Sequence, residues 1–181
     1  MHRRKTMLAC ICIALLAGCG ADVSASLDIG FDQKNVSVAE RLDEELKTVG
    51  MSRFVDQTYK PGVIRHIVLF RYRETVSKEE RREVTRRFLS LQKSLRNGAP
   101  YIVSIEEGAQ ISGEGADKGF EQAFVVTFRS QGDRNYYVGK PIITNPDSYD
   151  LEHQAFKEFI KPFLAPEGVL VFDYTASWIA S

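Results

Sequence analysis

The sequence predicts an α+β domain with the element order β-α-β-β-α-β. Four segments, at residues 63–72, 101–107, 120–129 and 169–175, are rich in β-branched and aromatic residues and have the length of strands. Two segments with apolar residues at helical spacing follow the first and the third of them. This order is typical of a ferredoxin-like fold, in which helices cover one face of a single antiparallel sheet.

The segment at residues 63–72 is the element around which the domain is organised. It contains no glycine or proline, and Pro61 and Gly62 precede it. Successive strand side chains point to opposite faces, so every second residue lies on the same face. One of these faces consists of Ile64, His66, Val68, Phe70 and Tyr72. On this largely apolar face an imidazole is either a buried structural group or a residue of a functional site.

The second strand is expected to alternate in the same way. Tyr101, Val103 and Ile105 would then lie on one face, and Ile102 and Ser104 on the other.

Two helices are predicted between the strands. The first begins with a capping box of Ser77 and Glu80 and ends before the turn residues Asn97 and Gly98. Its apolar stripe consists of Val84, Phe88, Leu91 and Leu95. The second runs from about residue 150 to 164 and ends at Pro166, after a shorter helical segment at 133–138. Its apolar face consists of Phe156, Phe159, Ile160, Phe163 and Leu164.

Residues 36–60 form a predicted helical extension before the domain, which itself spans residues 61–176. Ser37 and Glu40 form a capping box, and Gly50 is placed to end the helix. Its apolar residues at helical spacing are Val38, Leu42, Leu46 and Val49. Two uses fit this pattern: packing on the domain, or binding a partner.

The N-terminus predicts an exported lipoprotein. Basic residues at positions 3–5 precede an apolar stretch at 7–16, which is too short for a stable membrane-spanning helix. The sequence Leu16-Ala17-Gly18-Cys19 that follows resembles the bacterial lipobox, in which the cysteine carries the lipid. Residues 1–18 would then be the signal peptide, 19–35 a tether and 177–181 a short tail. An ordinary secretory signal containing a cysteine is the alternative.

The lipobox resemblance implies that the protein is located in the bacterial cell envelope. Gly20, rather than aspartate, follows the cysteine and favours the outer membrane, with the domain facing the periplasm. Cys10 and Cys12 would leave with the signal, so the mature domain would contain no disulfide. The 24 basic and 24 acidic residues of the whole chain, less three basic ones in the signal, give no indication of nucleic acid binding.

The strands are apolar on both faces, whereas only two core helices are available to cover them. We therefore expect the second face to be buried against the same sheet of another copy, giving a homodimer.

No metal or cofactor is predicted. His66 and His153 lack a third nitrogen or sulfur ligand. Asp147, Asp150 and Glu152 fit a helix N-cap and a solvated loop better than a metal site.

Six short segments together resemble the stress-responsive A/B barrel (Dabb) family of dimeric α+β barrels. They are Arg65-His66-Ile67-Val68, Ile105-Glu106-Glu107-Gly108, Gly119-Phe120, Tyr136-Tyr137-Val138-Gly139-Lys140-Pro141, His153-Gln154-Ala155-Phe156 and Val171-Phe172-Asp173-Tyr174. The best-known enzyme of that family is a plant polyketide cyclase. It closes a linear poly-β-keto thioester by an aldol reaction, with a histidine as base and a tyrosine holding the substrate.

The resemblance implies roles for particular residues. His153 falls at the position of the catalytic base, Tyr137 at that of the substrate-binding tyrosine and His66 at that of a strand-one histidine. Phe88 and Lys140 would also line the ligand site, although the cyclase has a tyrosine and many relatives a histidine there. An insertion at residues 142–152 is a further departure from the family pattern.

Three functions follow as hypotheses. The leading one is a lipid-anchored envelope protein that binds a small hydrophobic molecule in a barrel cavity lined by histidine and tyrosine. Whether it catalyses a reaction is left open. The first alternative is a cofactor-independent enzyme, cyclase-like or monooxygenase-like, that acts on a carbonyl compound with His153 as base. The second is a structural accessory protein of the envelope. The ligand-based hypotheses require His66, Tyr137 and a partly exposed His153 to converge on one cavity.

The lipobox can be tested by replacing the cysteine. Cys19→Ser removes the thiol that accepts the lipid, so we expect an unprocessed or a soluble protein in place of a lipidated one. Metabolic labelling with palmitate and membrane fractionation measure this. A variant that is cleaved after the apolar stretch and still fractionates with membranes would contradict the lipobox.

Overall fold

The computed structural model describes residues 36–177. The predicted signal peptide, Cys19, the tether and all but the first residue of the tail lie outside this range. No helix within it is long and apolar enough to span a bilayer. The helices and strands are, in chain order, α1 (Val38–Val49), α2 (Met51–Phe54), β1 (Pro61–Tyr72), α3 (Lys78–Ser90), β2 (Leu95–Arg96), β3 (Ala99–Pro100), β4 (Ile102–Ala109), β5 (Gln122–Ser130), α4 (Gln131–Val138), α5 (Leu151–Ile160) and β6 (Leu164–Thr175).

The main sheet has four strands in the order β4-β5-β1-β6, and every neighbouring pair is antiparallel. With the helices α3 and α5 between its strands, this is the ferredoxin-like α+β fold that the sequence predicts. The central strand β1 pairs His66 with Val126 of β5 on one side and with Asp173 of β6 on the other.

The core lies between the sheet and the helices α3 and α5. Every second residue of β1 from Ile64 to Tyr72 is buried, as the alternation predicts. Phe88 of α3 stacks on Phe124 of β5 with 3.9 Å between ring centroids. Phe156 of α5 meets Phe88 edge-on at 5.1 Å. Such aromatic contacts contribute large buried areas and therefore much of the stability of a core.

The N-terminal extension packs on the domain, which is the first of the two uses that its pattern allows. Leu42, Leu46 and Val49 of α1 lie against a second apolar cluster. The buried members of this cluster are Phe54, Val55, Tyr59, Ile143 and Tyr149. The cluster therefore joins the extension to the insertion at residues 142–152.

Buried polar contacts fix the segment after α1. The Asn135 side-chain amide donates to the carbonyl of Phe54 at 2.7 Å, and the Arg96 guanidinium donates to the carbonyl of Val55. A β-carbon on Gly132 would lie 1.8 Å from the carbonyl oxygen of Asp56. Only glycine fits where the extension crosses α4, so the extension is an integral part of the fold.

The predicted end of the first core helix is wrong. The α-helix ends at Ser90, a 3₁₀ turn follows over Leu91–Lys93, and Leu95 is exposed. Leu95 lies in a β2–β3 hairpin whose turn is formed by Asn97 and Gly98, both with positive φ. Asn-Gly is a strong signal for such a turn, and it outweighs the helical spacing of one leucine.

Two strand predictions also need correction. A register shift between Ile102 and Ser104 breaks the alternation of β4, so Tyr101 and Ile102 are both buried and Val103 is exposed. β6 begins at Leu164, before the predicted position, and contains Pro166. Proline is tolerated there because β6 is an edge strand.

The sheet face that points away from the core is apolar along β6. Leu170, Phe172 and Tyr174 are 42%, 59% and 42% exposed, and their neighbours on β1 are Leu69, Ile67 and Arg65. We call this row the outer face. Large apolar side chains exposed side by side are uncommon on a monomeric protein.

Candidate functional site

A cavity of about 910 Å³ lies between the core face of β1 and β6 and the helices α1, α4 and α5. Its volume falls within the range of about 300–1,000 Å³ that is typical of small-molecule sites. Most of its wall is apolar, and representative lining residues are Ile64, Val68, Phe156, Ile160 and Val171. The polar side chains in the wall include His66, His153, Arg134, Asp173 and Lys157.

His66 is held by a carboxylate from the neighbouring strand. Antiparallel pairing places Asp173 opposite His66, and Nδ1 of His66 lies 2.6 Å from Oδ1 of Asp173. A carboxylate only accepts hydrogen bonds, so Nδ1 carries the proton. In the neutral ring, Nε2 then keeps its lone pair. Such an arrangement orients an imidazole and fixes its tautomer.

Arg134 of α4 is the second side chain that contacts Asp173. Its Nε lies 3.5 Å from Oδ2 of Asp173. Burial lowers the pKa of the Arg134 guanidinium, and the negative charges of Asp173 and Glu45 oppose this effect. Sequence reasoning assigned no role to Asp173 or Arg134. The signal that identifies Asp173 is its register opposite His66, which requires knowledge of which strands pair.

His153 is buried, so the prediction of a partly exposed histidine is wrong. Asp150 caps α5 and accepts from the backbone N–H of His153 at 3.0 Å. The side-chain Nδ1 lies 2.6 Å from the carbonyl oxygen of Tyr137. Because a carbonyl only accepts, Nδ1 is protonated and Nε2 has the lone pair.

The His153 imidazole is held neutral. Burial lowers its pKa well below the ordinary value, against the opposing effect of the hydrogen bond to Tyr137. The neighbouring His66 and Lys157 lower this pKa further. Nε2 of His153 is therefore suited to accept a hydrogen bond, and the ring is poorly suited to take up a second proton.

Tyr137 lies against both histidines. Its ring stacks on His153 with 3.7 Å between centroids and meets His66 edge-on at 5.6 Å. The ring is fully buried, and it is not among the side chains that line the cavity. Its hydroxyl has no hydrogen-bond partner within residues 36–177, and burial raises its pKa well above the ordinary value. Tyr137 thus spaces the two imidazoles.

The other two predicted ligand contacts both line the cavity. Phe88 is buried and belongs mainly to the aromatic core, through its stack on Phe124. Lys140 is exposed at the rim, where its ammonium lies 5.8 Å from the ring centroid of Tyr149. No group of three or more candidate metal ligands occurs in the described part of the chain.

The insertion at residues 142–152 positions the site. Ile143 and Tyr149 are buried in the second apolar cluster beside α1. Asp150 at its end caps α5, and its other carboxylate oxygen accepts from the hydroxyl of Tyr101. These contacts fix the start of α5, so that His153 is buried against Tyr137 although Leu151 and Glu152 beside it are exposed.

Comparison with known proteins gives one family match. The family model of the stress responsive A/B barrel domain matches residues 64–176. No curated protein sequence matches the chain.

Solved structures show the same fold at low sequence identity. A protein of Arabidopsis thaliana is 22% identical with a TM-score of 0.51, over 65% of this chain and 99% of its own. A hydroxynitrile lyase of Passiflora edulis is 23% identical with a TM-score of 0.51, over 67% of this chain and 99% of its own.

The buried state of His153 predicts a pH-dependent cost of its removal. His153→Ala should lower the free energy of unfolding at pH 8 by about 2–4 kcal/mol, because it removes a packed ring and leaves the Tyr137 carbonyl unpaired. Below about pH 6.5 the unfolded wild-type chain binds a proton on His153 that the folded chain rejects. The free energy of unfolding of the wild-type protein therefore falls below about pH 6.5, and the difference between it and that of His153→Ala should become smaller.

Urea denaturation of both proteins at pH 8 and pH 5.5 measures the difference in their free energies of unfolding at each pH. Equal differences at the two pH values would show that His153 is not held neutral in the folded protein.

Proposed function

The chain belongs to the stress responsive A/B barrel domain family, and from that premise we propose that it binds a small, largely apolar molecule in the cavity beside β1. The observation that carries this proposal is the cavity itself, a mostly apolar space with few polar groups. A cavity of about 910 Å³ also favours ligand binding over a purely structural role, for which a filled interior would suffice.

The polar groups suggest how such a ligand would be oriented. His66 and His153 both line the cavity, and both use Nδ1 in contacts within the protein. Each neutral ring thus has Nε2 as its remaining polar atom. A hydroxyl group or another donor on the ligand would satisfy either nitrogen.

A second candidate function is proton transfer next to a carbonyl group. The pair of His66 and Asp173 favours it, because the carboxylate stabilises the imidazolium that forms when Nε2 takes a proton. This assigns the base to His66 in place of His153, whose burial disfavours its charged form. The proton would leave the α-carbon, the electron pair would form an enolate, and the same proton or one from water would return. The same fold occurs in a hydroxynitrile lyase.

We propose further that two copies associate through the outer face. Leu170, Phe172 and Tyr174 expose apolar area there that a second sheet would bury. The lipid at Cys19 would hold this dimer in the bacterial envelope, at the outer membrane and facing the periplasm. The lipobox resemblance is the support for that location.

Two adjacent residues of β6 separate ligand binding from dimer formation. Val171 lines the cavity, whereas Leu170 points to the outer face. We expect Val171→Arg to abolish the binding of 1-octanol by filling the cavity, while the dimer persists. Leu170→Arg should dissociate the dimer, because like charges would be buried together, and leave 1-octanol binding intact.

Isothermal titration calorimetry and light scattering measure the two properties on the full-length protein. Each variant is the control for the other, since both place an arginine at a half-exposed position of one strand. Wild-type protein that takes up no 1-octanol, or loses binding equally in both variants, would contradict the cavity as the binding site. A monomeric wild-type protein would contradict the dimer.

Proton transfer can be measured by the exchange of α-deuterons of 2-octanone with water, followed by NMR. A positioned base contributes about 10²–10⁴-fold, so His66→Ala should remove most of the catalysed rate. Asp173→Asn should lower it strongly, because the neutral amide no longer stabilises the imidazolium. Asp147→Asn is the matched control, since Asp147 is exposed and outside the cavity. A wild-type rate no higher than that of buffer would refute the base and leave ligand binding untouched.

A further inference from the structure

The charged side chains along the cavity are mostly cationic. Those in its wall are Arg134, Lys140, Lys157, Lys161 and Asp173. Asp173 is the one carboxylate among the lining residues in the described chain, and it already contacts His66 and Arg134. The local field in the cavity therefore favours an anion.

Two of these cations have carboxylate partners and two have none. Arg134 pairs with Asp173, and Lys161 pairs with Glu158 on the same helix turn. Within residues 36–177, neither Lys140 nor Lys157 has a carboxylate at salt-bridge distance. Lys140 is exposed and solvated, whereas Lys157 is half-buried, so Lys157 is the cation whose charge is least compensated.

The ammonium of Lys157 is fixed in place. Its Nζ donates to the carbonyl oxygens of Val138 and Lys140, at 2.9 Å each. An ammonium group has three N–H donors, so one remains. Burial lowers the pKa of Lys157, with Lys140 and Lys161 acting in the same direction and Glu158 opposing. An anion beside it would relieve the cost of holding a partly buried charge.

Lys157 also lies next to the histidine site. It follows His153 by four residues on α5, so both side chains project from the same side of the helix. The apolar wall continues past it, with Phe156 and Ile160 on α5 and Val171 across the cavity on β6. A ligand that meets Lys157 with one end can therefore keep the rest of its surface in apolar contact.

We propose that the cavity takes an organic anion, an apolar chain or ring that carries one carboxylate, and that the carboxylate binds the third N–H of Lys157. This rests on the proposed ligand-binding function and adds the chemical class of the ligand. Lys140 at the rim adds a second positive charge to the same end of the cavity.

Helix α1 extends the apolar part of this site. Val38, Ala39 and Leu42 line the cavity, although they lie before residues 64–176, the span of the family match. Added apolar wall favours a longer ligand. Each methylene buried there should tighten binding by about fourfold, so affinity should rise from hexanoate through octanoate to decanoate.

A matched set of eight-carbon probes tests the proposal. Octanoate, 1-octanol and octylamine differ in head-group charge, and calorimetry on the delipidated full-length protein gives the affinity of each. Octanoate should bind most tightly and octylamine most weakly. Lys157→Met should weaken the binding of octanoate by about 10- to 100-fold, the value of a hydrogen bond between charged groups. The affinity for 1-octanol should stay unchanged.

Two further variants complete the design. Lys157→Arg keeps the charge and should restore part of the octanoate affinity. Lys93→Met removes an exposed lysine outside the cavity and should leave the octanoate affinity unchanged.

The anion proposal is overturned if 1-octanol binds as tightly as octanoate. It is also overturned if Lys157→Met and Lys93→Met weaken octanoate binding equally. If the wild-type protein binds 1-octanol and Val171→Arg abolishes this binding, the cavity remains supported as a ligand site. Absence of all binding to the wild-type protein would overturn both proposals.

Discussion

The central position of β1 is the constraint on which the rest of the structure depends. β1 is paired along both edges, so its register with β5 and β6 decides which residues share each face of the sheet. A slip of one residue would turn His66 to the outer face and bring Ile67 into the core. The same register places Asp173 beside His66. The apolar alternation that stabilises the core therefore also assembles the histidine–carboxylate pair.

The second half of the site depends on one backbone carbonyl. The Tyr137 carbonyl lies at the end of α4, where helix carbonyls lack partners within the helix, and the His153 ring satisfies it. In return that hydrogen bond fixes the tautomer of a buried imidazole. The two histidines thus have different partners: the His66 ring donates to a carboxylate and the His153 ring to a carbonyl, and burial penalises the charged form of His153.

Local patterns in the sequence were sufficient for the order of the elements and the core face of β1, and insufficient for some element ends, for the faces of β4 and for contacts between distant segments. The capping boxes at Ser37 and Ser77 form as predicted, because each depends on residues three apart. Asp173 could not be assigned, since its partner is 107 positions away and is known only once strand order is known. The burial of His153 was missed for a similar reason. Its imidazole stacks on the ring of Tyr137, 16 positions away on α4, and the pattern of neither segment reveals that they meet.

The edge strand β6 is where the two proposed uses of the sheet meet. Val169, Val171 and Asp173 line the cavity, and Leu170 belongs to the outer face alone. Phe172 and Tyr174 belong to the outer face and also border the cavity. A strand used on both faces must be apolar on both, which explains why it exposes so much apolar area in a single copy. Association through the outer face would leave the opposite side open to a ligand. The cationic rim of α5 and the apolar wall of α1 would then determine which ligand enters, because both lie on the cavity side. Dimer formation and ligand choice can therefore change independently at Leu170 and Val171, whereas Phe172 and Tyr174 adjoin both surfaces.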